Sequence, residues 1–248
     1  MGAGIKSTSK PIPWTKAKKA LIWGIAGLLV LVAATLYFQR HAIANRMMVA
    51  RGEHAVASHI ATPVDLTASY ATQDQGWDIP WDFQVFNDVP LQIDGPMYLW
   101  GAGNSKAGVD FAEEITGIPV NRKFDTLYVY HATFYSAPKG TPVYELVFRY
   151  EDGSSVTNQL LYDSDLLDFN SGVKGNRPVK GPTGHNSRLA WVGGSFTPDG
   201  KQPLRFCLTA IKNPQAGIEV TSIDLYSSKG RAAAVILAMT TGPSDLMK

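Results

Sequence analysis

The feature that most constrains this chain is the run from Ala20 to Gln39, twenty residues with no ionised side chain, containing LIWGIAGLLVLVAATLYF and bounded by Lys19 and Arg40. An α-helix rises about 1.5 Å per residue, so this run spans about 30 Å, the thickness of a bilayer's hydrocarbon core. No later stretch of the 248 residues matches it. The pattern predicts a Lys-rich cytoplasmic tail over 1–19, one transmembrane helix over 20–39, a juxtamembrane stalk of helical character over 40–61, and a folded domain over 62–248.

Flanking charge predicts the orientation. Lys6, Lys10, Lys16, Lys18 and Lys19 precede the run, whereas Arg40, Arg46 and Arg51 after it are partly offset by Glu53. Lys and Arg beside a span are retained in the cytoplasm, which places the main domain outside: in the periplasm, for a single-pass protein of a bacterial inner membrane. Trp23 sits near the cytoplasmic end, and Gly24 and Gly27 offer a small-residue face to another helix, one residue short of Gly-x-x-x-Gly. These three are the candidate membrane-helix contacts. A cleaved signal peptide is the competing account, with Ala42-Ile43-Ala44 as its site, but the run exceeds the usual apolar core of about 7 to 15 residues. The expectation is an uncleaved signal anchor.

The net charge is +2, and much of the positive excess lies in the tail before the span. The exported part thus carries no strong basic patch, which argues against nucleic acid as a partner. Cys207 is the one cysteine, so no intrachain disulfide can form, and its setting in Leu204-Arg-Phe-Cys-Leu208 reads as a small buried hydrophobe. No cofactor or metal set emerges. His54 and His59 stand five apart, not the four that aligns two imidazoles on a helix, and read as stalk residues. Asp152, Asp163, Asp165 and Asp168 form the densest acidic group and could offer oxygen to calcium, but the alternating EF-hand pattern is missing, so they read as a loop of solvated acids.

From Thr62 onward short β-type runs alternate with Gly, Pro, Asn and Asp. Strands are expected at 126–135 and 142–150, at 155–162 after the Asp152-Gly153 turn signal, and at 91–93, 97–99, 188–192, 204–211, 218–226 and 233–240. No long amphipathic helix alternates with them, so an antiparallel sandwich fits and a parallel βαβ sheet does not. Several of these runs are apolar on both sides, leaving open which faces meet.

The same residues carry a resemblance. Leu127-Tyr-Val-Tyr-His-Ala-Thr, Gly140-Thr, Tyr150-Glu-Asp-Gly, Leu189-Ala-Trp-Val-Gly, Ile211-Lys-Asn-Pro, Ile223-Asp-Leu-Tyr-Ser and Ile236-Leu-Ala-Met-Thr follow in an order that resembles galactose-binding-like modules of exported, membrane-anchored bacterial proteins. The resemblance covers about 62–241. It implies a mostly β fold, an antiparallel jelly-roll β-sandwich preceded by one N-terminal transmembrane helix, whose relatives bind sugars or proteins and do not catalyse.

Candidate chemistry is sparse. Asp110, Glu113, Glu114 and Glu145 could flank a glycosidic bond if folding paired two of them. His131 reads as a hydrogen-bonded core histidine. The Gly-rich connection from Asn170 to Ser187 carries His185 and leads to Arg188, in the manner of a binding loop. Trp77 and Trp81 frame a turn in a polar stretch and Trp100 ends a strand, so these rings are candidates for stacking on a glycan or anchoring a partner protein, while Trp191 reads as core. The functional expectation is a non-catalytic, membrane-anchored binding protein: an accessory or scaffold subunit of a larger membrane complex, for example respiratory or photosynthetic. In that reading the lipid bilayer and other proteins are its partners. The alternatives are a surface-tethered carbohydrate-binding module, with Trp77, Trp81, Trp100, His185 and Arg188 as its glycan site, and a glycoside hydrolase-like enzyme.

Overall fold

A computed structural model describes residues 50, 60–71, 79–172, 178–194 and 203–247. The expected span with Trp23, Gly24 and Gly27, most of the stalk, and Trp77 lie outside the described residues. Among those described, no helix is long and apolar enough to cross a membrane.

In chain order the strands are β1 (Thr62–Pro63), β2 (Asp82–Phe86), β3 (Val89–Ile93), β4 (Met97–Tyr98), β5 (Glu114–Arg122) and β6 (Thr126–Phe134). They continue with β7 (Pro142–Tyr150), β8 (Ser155–Leu161), β9 (Ser187–Gly193), β10 (Leu204–Lys212), β11 (Val220–Ser227) and β12 (Ala233–Gly242). A short helix α1 (Ala102–Lys106) follows β4. One sheet has the order β1-β12-β6-β10-β9, with β4 also on the edge of β12; a second has the order β5-β11-β7-β8. Strands β2 and β3 form a separate hairpin, and all pairings between these strands are antiparallel. The protein is therefore mostly β and antiparallel, as the sequence predicts.

Turn chemistry sets the register of the β7–β8 hairpin. Tyr150, Glu151, Asp152 and Gly153 close a turn in which Gly153 takes φ 82°, a left-handed conformation that glycine adopts without a Cβ clash. Gly153 N–H donates to Tyr150 O and Tyr150 N–H to Ser154 O, each at 3.0 Å, while Asp152 Oδ1 accepts Ser154 N–H at 2.9 Å. The β2–β3 hairpin turns on Asn87 and Asp88, both at positive φ, as a type I′ turn requires.

The two sheets meet across one apolar cluster. Leu127 and Val129 of β6, Cys207 and Ile211 of β10, and Ile236 of β12 pack with Tyr144, Leu146 and Phe148 of β7 and Ile223 and Leu225 of β11. A second cluster lies on the other face of the first sheet, where Tyr128, Tyr130 and Phe134 of β6 and Val235 and Leu237 of β12 pack with Val89, Leu91 and Ile93 of β3. Thr240 Oγ1 donates to Pro90 O at 2.6 Å and pins the hairpin there. The first sheet is thus covered on both faces. That third layer explains why β6 and β12 are apolar on both sides, a pattern that two layers alone would not need.

Cys207 is fully buried, and burial pushes its thiol up to about 12, so it serves as a small hydrophobe. Trp191 is half-buried and packs against the outer cluster, its ring 6.2 Å from Phe206. It belongs to the outer layer and not to the core between the sheets.

Candidate functional site

Polar residues inside an apolar strand need partners, and His131 finds them in both sheets. It lies at the centre of β6 with no solvent exposure. Its Nε2 is 2.8 Å from Thr209 Oγ1 on β10, and its Nδ1 is 2.8 Å from the Tyr144 hydroxyl on β7. Thr209 Oγ1 donates to the carbonyl of Asp165 at 2.8 Å, so it accepts from His131 Nε2–H, and Nδ1 is left to accept the Tyr144 proton. Ser187 Oγ adds a bond to Thr209 Oγ1 at 2.9 Å. Burial drives the His131 imidazole down to about 3, so the ring is neutral, and it raises the Tyr144 phenol well above its usual range. His131 is the hydrogen-bonded core histidine that the sequence predicts.

This network backs a cleft of ≈ 410 Å³ on one side of the sandwich. Strand β8 contributes Thr157, Asn158, Gln159 and Leu160; β10 contributes Thr209, Ala210, Ile211 and Lys212; Asp165 and Asn186 complete the wall. The opening follows from the topology. Strand β8 is the free edge of its sheet, and β9 pairs with β10 only from Leu204 to Thr209. Beyond that point Ala210 N–H donates instead to Asn186 O at 2.9 Å.

The described residues between β8 and β9 shape the rim. Leu161 N–H donates to Asp165 Oδ2 at 2.7 Å, and Asp165 N–H returns a bond to Leu161 O at 2.9 Å. Burial pushes the Asp165 carboxyl above its ordinary range, opposed by the Leu161 N–H and the Ser187 hydroxyl. Gly184 N–H donates to Ser164 O at 2.9 Å, and a Cβ at Gly184 would stand 2.5 Å from that oxygen. Two stretches of the loop can approach this closely because position 184 has no side chain.

The acidic residues are not a solvated cluster. Asp152 sits before the seven residues of β8 and Asp163 to Asp168 after them, a separation of about 20 Å at about 3.3 Å per residue. Asp168 accepts Asn170 N–H at 3.0 Å and Ser136 Oγ–H at 2.9 Å, and with Asp165 it is half-buried. Among the described residues, no three His, Cys, Asp or Glu side chains gather as a metal site. Of the other carboxylates, Glu113 pairs with Lys229 at 2.5 Å. Glu114 of β5 and Glu145 of β7 stand on either side of Tyr226 of β11 in the second sheet.

The residues singled out from sequence fall on separate elements. Trp81, 36% exposed, precedes β2. Trp100 is half-buried, with its N–H on Ala112 O at 2.8 Å and its carbonyl accepting Ser227 Oγ–H at 2.7 Å. His185 and Arg188 are exposed and joined, Arg188 Nη1 donating to His185 O at 2.8 Å, and they flank Asn186 at the cleft rim. Among the described residues, no hydrogen bond or ring contact links either tryptophan to that pair. Thr157, Gln159, Asn186 and Lys212 were not legible as site residues. The available signal was Asn158, a polar residue at a position of β8 where the alternation calls for an apolar one.

Comparison with protein-family models, curated proteins and solved structures gives no match.

Proposed function

We propose that this chain is a membrane-anchored, extracytoplasmic binding protein, and that its sandwich, a jelly roll of the galactose-binding-like kind, takes a saccharide in the side cleft. The observation that carries the reading is the polar make-up of the cleft wall, which Asn158, Asp165, Asn186 and Thr209 line on the inter-sheet side and rim. A polyhydroxylated ligand can replace the water on those groups bond for bond. An apolar ligand would leave them unpaired, at about 1–3 kcal/mol for each group desolvated. The buried His131–Thr209–Asp165 chain supports the reading, because it holds β10 and the rim loop together independently of any ligand. The run from Ala20 to Gln39 supplies the tether.

The test is an array of neutral and acidic saccharides probed with the full-length chain in detergent. Binding is expected, and the double variant Asn158→Ala/Asn186→Ala should weaken it about tenfold or more through the lost hydrogen bonds. A folded chain that retains no saccharide, or whose binding ignores both substitutions, sinks the proposal. A second reading, a subunit of a larger membrane complex, is supported by Trp81, an exposed ring of the kind that anchors interfaces. Native sizing of the gently extracted chain at its monomer mass would count against it.

A further inference from the structure

The end of the sandwich where β5 stops and β1 begins holds a cation that the fold does not neutralise. Arg122, the last residue of β5, pairs across the ladder with Val220, whose side chain lies in the cluster between the sheets, so Arg122 faces the same gap. Thr62 faces it from the opposite sheet. It pairs with Thr241 and stands two residues before Val64, another member of that cluster, whose N–H continues the ladder to Met239 O at 2.9 Å. The guanidinium crosses the gap: Arg122 Nη1 donates to Pro63 O of β1 at 3.4 Å. Both residues line a pocket of ≈ 290 Å³, together with Lys123, Phe124, Asp125 and Ile60. It shares no lining residue with the side cleft, so nothing here depends on a saccharide there.

Arg122 is half-buried and has five N–H donors, yet among the described residues the Pro63 carbonyl is its one acceptor. Neither Arg122 nor Lys123 forms an ion pair there, with Asp125 or any other carboxylate, and the Thr62 hydroxyl makes no hydrogen bond. Burial pulls the guanidinium down from its ordinary value, since no partner charge offsets the lost water. Two positive charges against one negative leave the lining in want of an anion. We propose that this pocket holds a phosphate group, of a phospholipid headgroup or a soluble phosphate ester, with Arg122 on two of its oxygens and Thr62 and Lys123 on the others. A planar carboxylate is satisfied by the guanidinium fork alone. A phosphate has further oxygens out of that plane, which a hydroxyl from the facing sheet and an ammonium can meet. Ile60, 46% exposed, and Phe124 supply an apolar flank for the ester carbons. The rival role for Arg122 is a clamp on β1 through Pro63 O. That role predicts lost stability on its removal and no phosphate binding.

The experiment follows phosphorus NMR line broadening as the full-length chain in uncharged detergent is titrated into inorganic phosphate, glycerol phosphate and dihexanoyl phosphatidylglycerol. At least one should broaden saturably. Broadening of the lipid alone assigns a headgroup, and broadening of the soluble compounds as well assigns the phosphate itself. Arg122→Met should weaken the binding about tenfold or more, whereas Lys106→Met, which removes the same charge from the exposed end of α1, should leave it unchanged. Without phosphate, Arg122→Met should unfold in urea no earlier than the parent chain, because an uncompensated charge has gone. Should that variant fail to fold, Thr62→Val, which keeps the shape and removes the hydroxyl, should still weaken binding about threefold or more. The proposal is overturned if none of the three compounds binds, if Arg122→Met binds as tightly as the parent, or if Thr62→Val changes nothing.

Discussion

His131→Gln will be less stable than the parent chain at neutral pH, and the deficit will shrink as the pH falls. At neutral pH the amide cannot address Tyr144 and Thr209 at once with the angles of the two ring nitrogens. A buried hydroxyl is left unpaired, for a cost of about 1–3 kcal/mol. The acid limb has the opposite sign. The imidazole titrates at about 3 in the folded chain against an ordinary 6.5, because burial opposes its charge. Between those values the unfolded chain holds a proton that the folded chain refuses. Stability is therefore intact above 6.5 and falls by about 1.4 kcal/mol for each pH unit below it, with the loss complete near the folded value. Over the whole window the histidine accounts for about 4–5 kcal/mol of acid sensitivity, and Gln, which takes no proton, has none. Denaturant curves for both proteins on either side of 6.5 give the difference directly. Asp165, whose carboxyl is raised by burial, titrates in both proteins and largely cancels. A deficit that stays constant with pH would mean that His131 is not held neutral between the sheets.

The legibility of this fold followed how strongly each element is specified locally. Strands β6, β7 and β8 were readable because aromatic and β-branched residues run up to an Asp-Gly turn that can close in few ways. Strand β5 was not, because Gly117 and Pro119 interrupt it, and an edge position tolerates both where a central strand would not. Strand β2 escaped for a related reason: five residues, two of them polar, gain their strand character from pairing with β3. The apolar faces of β6 and β12 were visible, but their partners were not, since the covering hairpin lies far away in sequence. The cleft was the least legible part. It joins the edge of β8 to the end of β10 that β9 leaves open, about fifty residues later, and its side chains are ordinary surface types until the open edge brings them together. The structure places Trp81 and Trp100 on elements other than the cleft, and His185 and Arg188 beside Asn186 at its rim.

Phe148→Ala will cost about 3–5 kcal/mol, a large part of the roughly 5–15 kcal/mol that holds a domain folded. Phe148 is fully buried at the middle of β7 and paired with Ile223 of β11 and Val156 of β8. Its ring meets Phe124 edge-on at 5.5 Å and lies 6.5 Å from Tyr150. Truncation removes those contacts and opens a void that strands held in two ladders cannot collapse to fill. The neighbouring pair Val147 and Thr157 points the other way, and Thr157 is exposed, so Thr157→Ala should change stability by no more than about 0.5 kcal/mol. Urea unfolding of the two variants tests which face of the second sheet is core, and similar values for both would contradict the layer order. Asn158, on the inward face of β8, separates folding from binding: it lines the cleft and Phe148 does not, so Asn158→Ala should weaken saccharide binding in a folded chain. Phe148→Ala should lower binding only in proportion to the fraction unfolded, because the cleft is built at the edge of a sheet whose position the core determines.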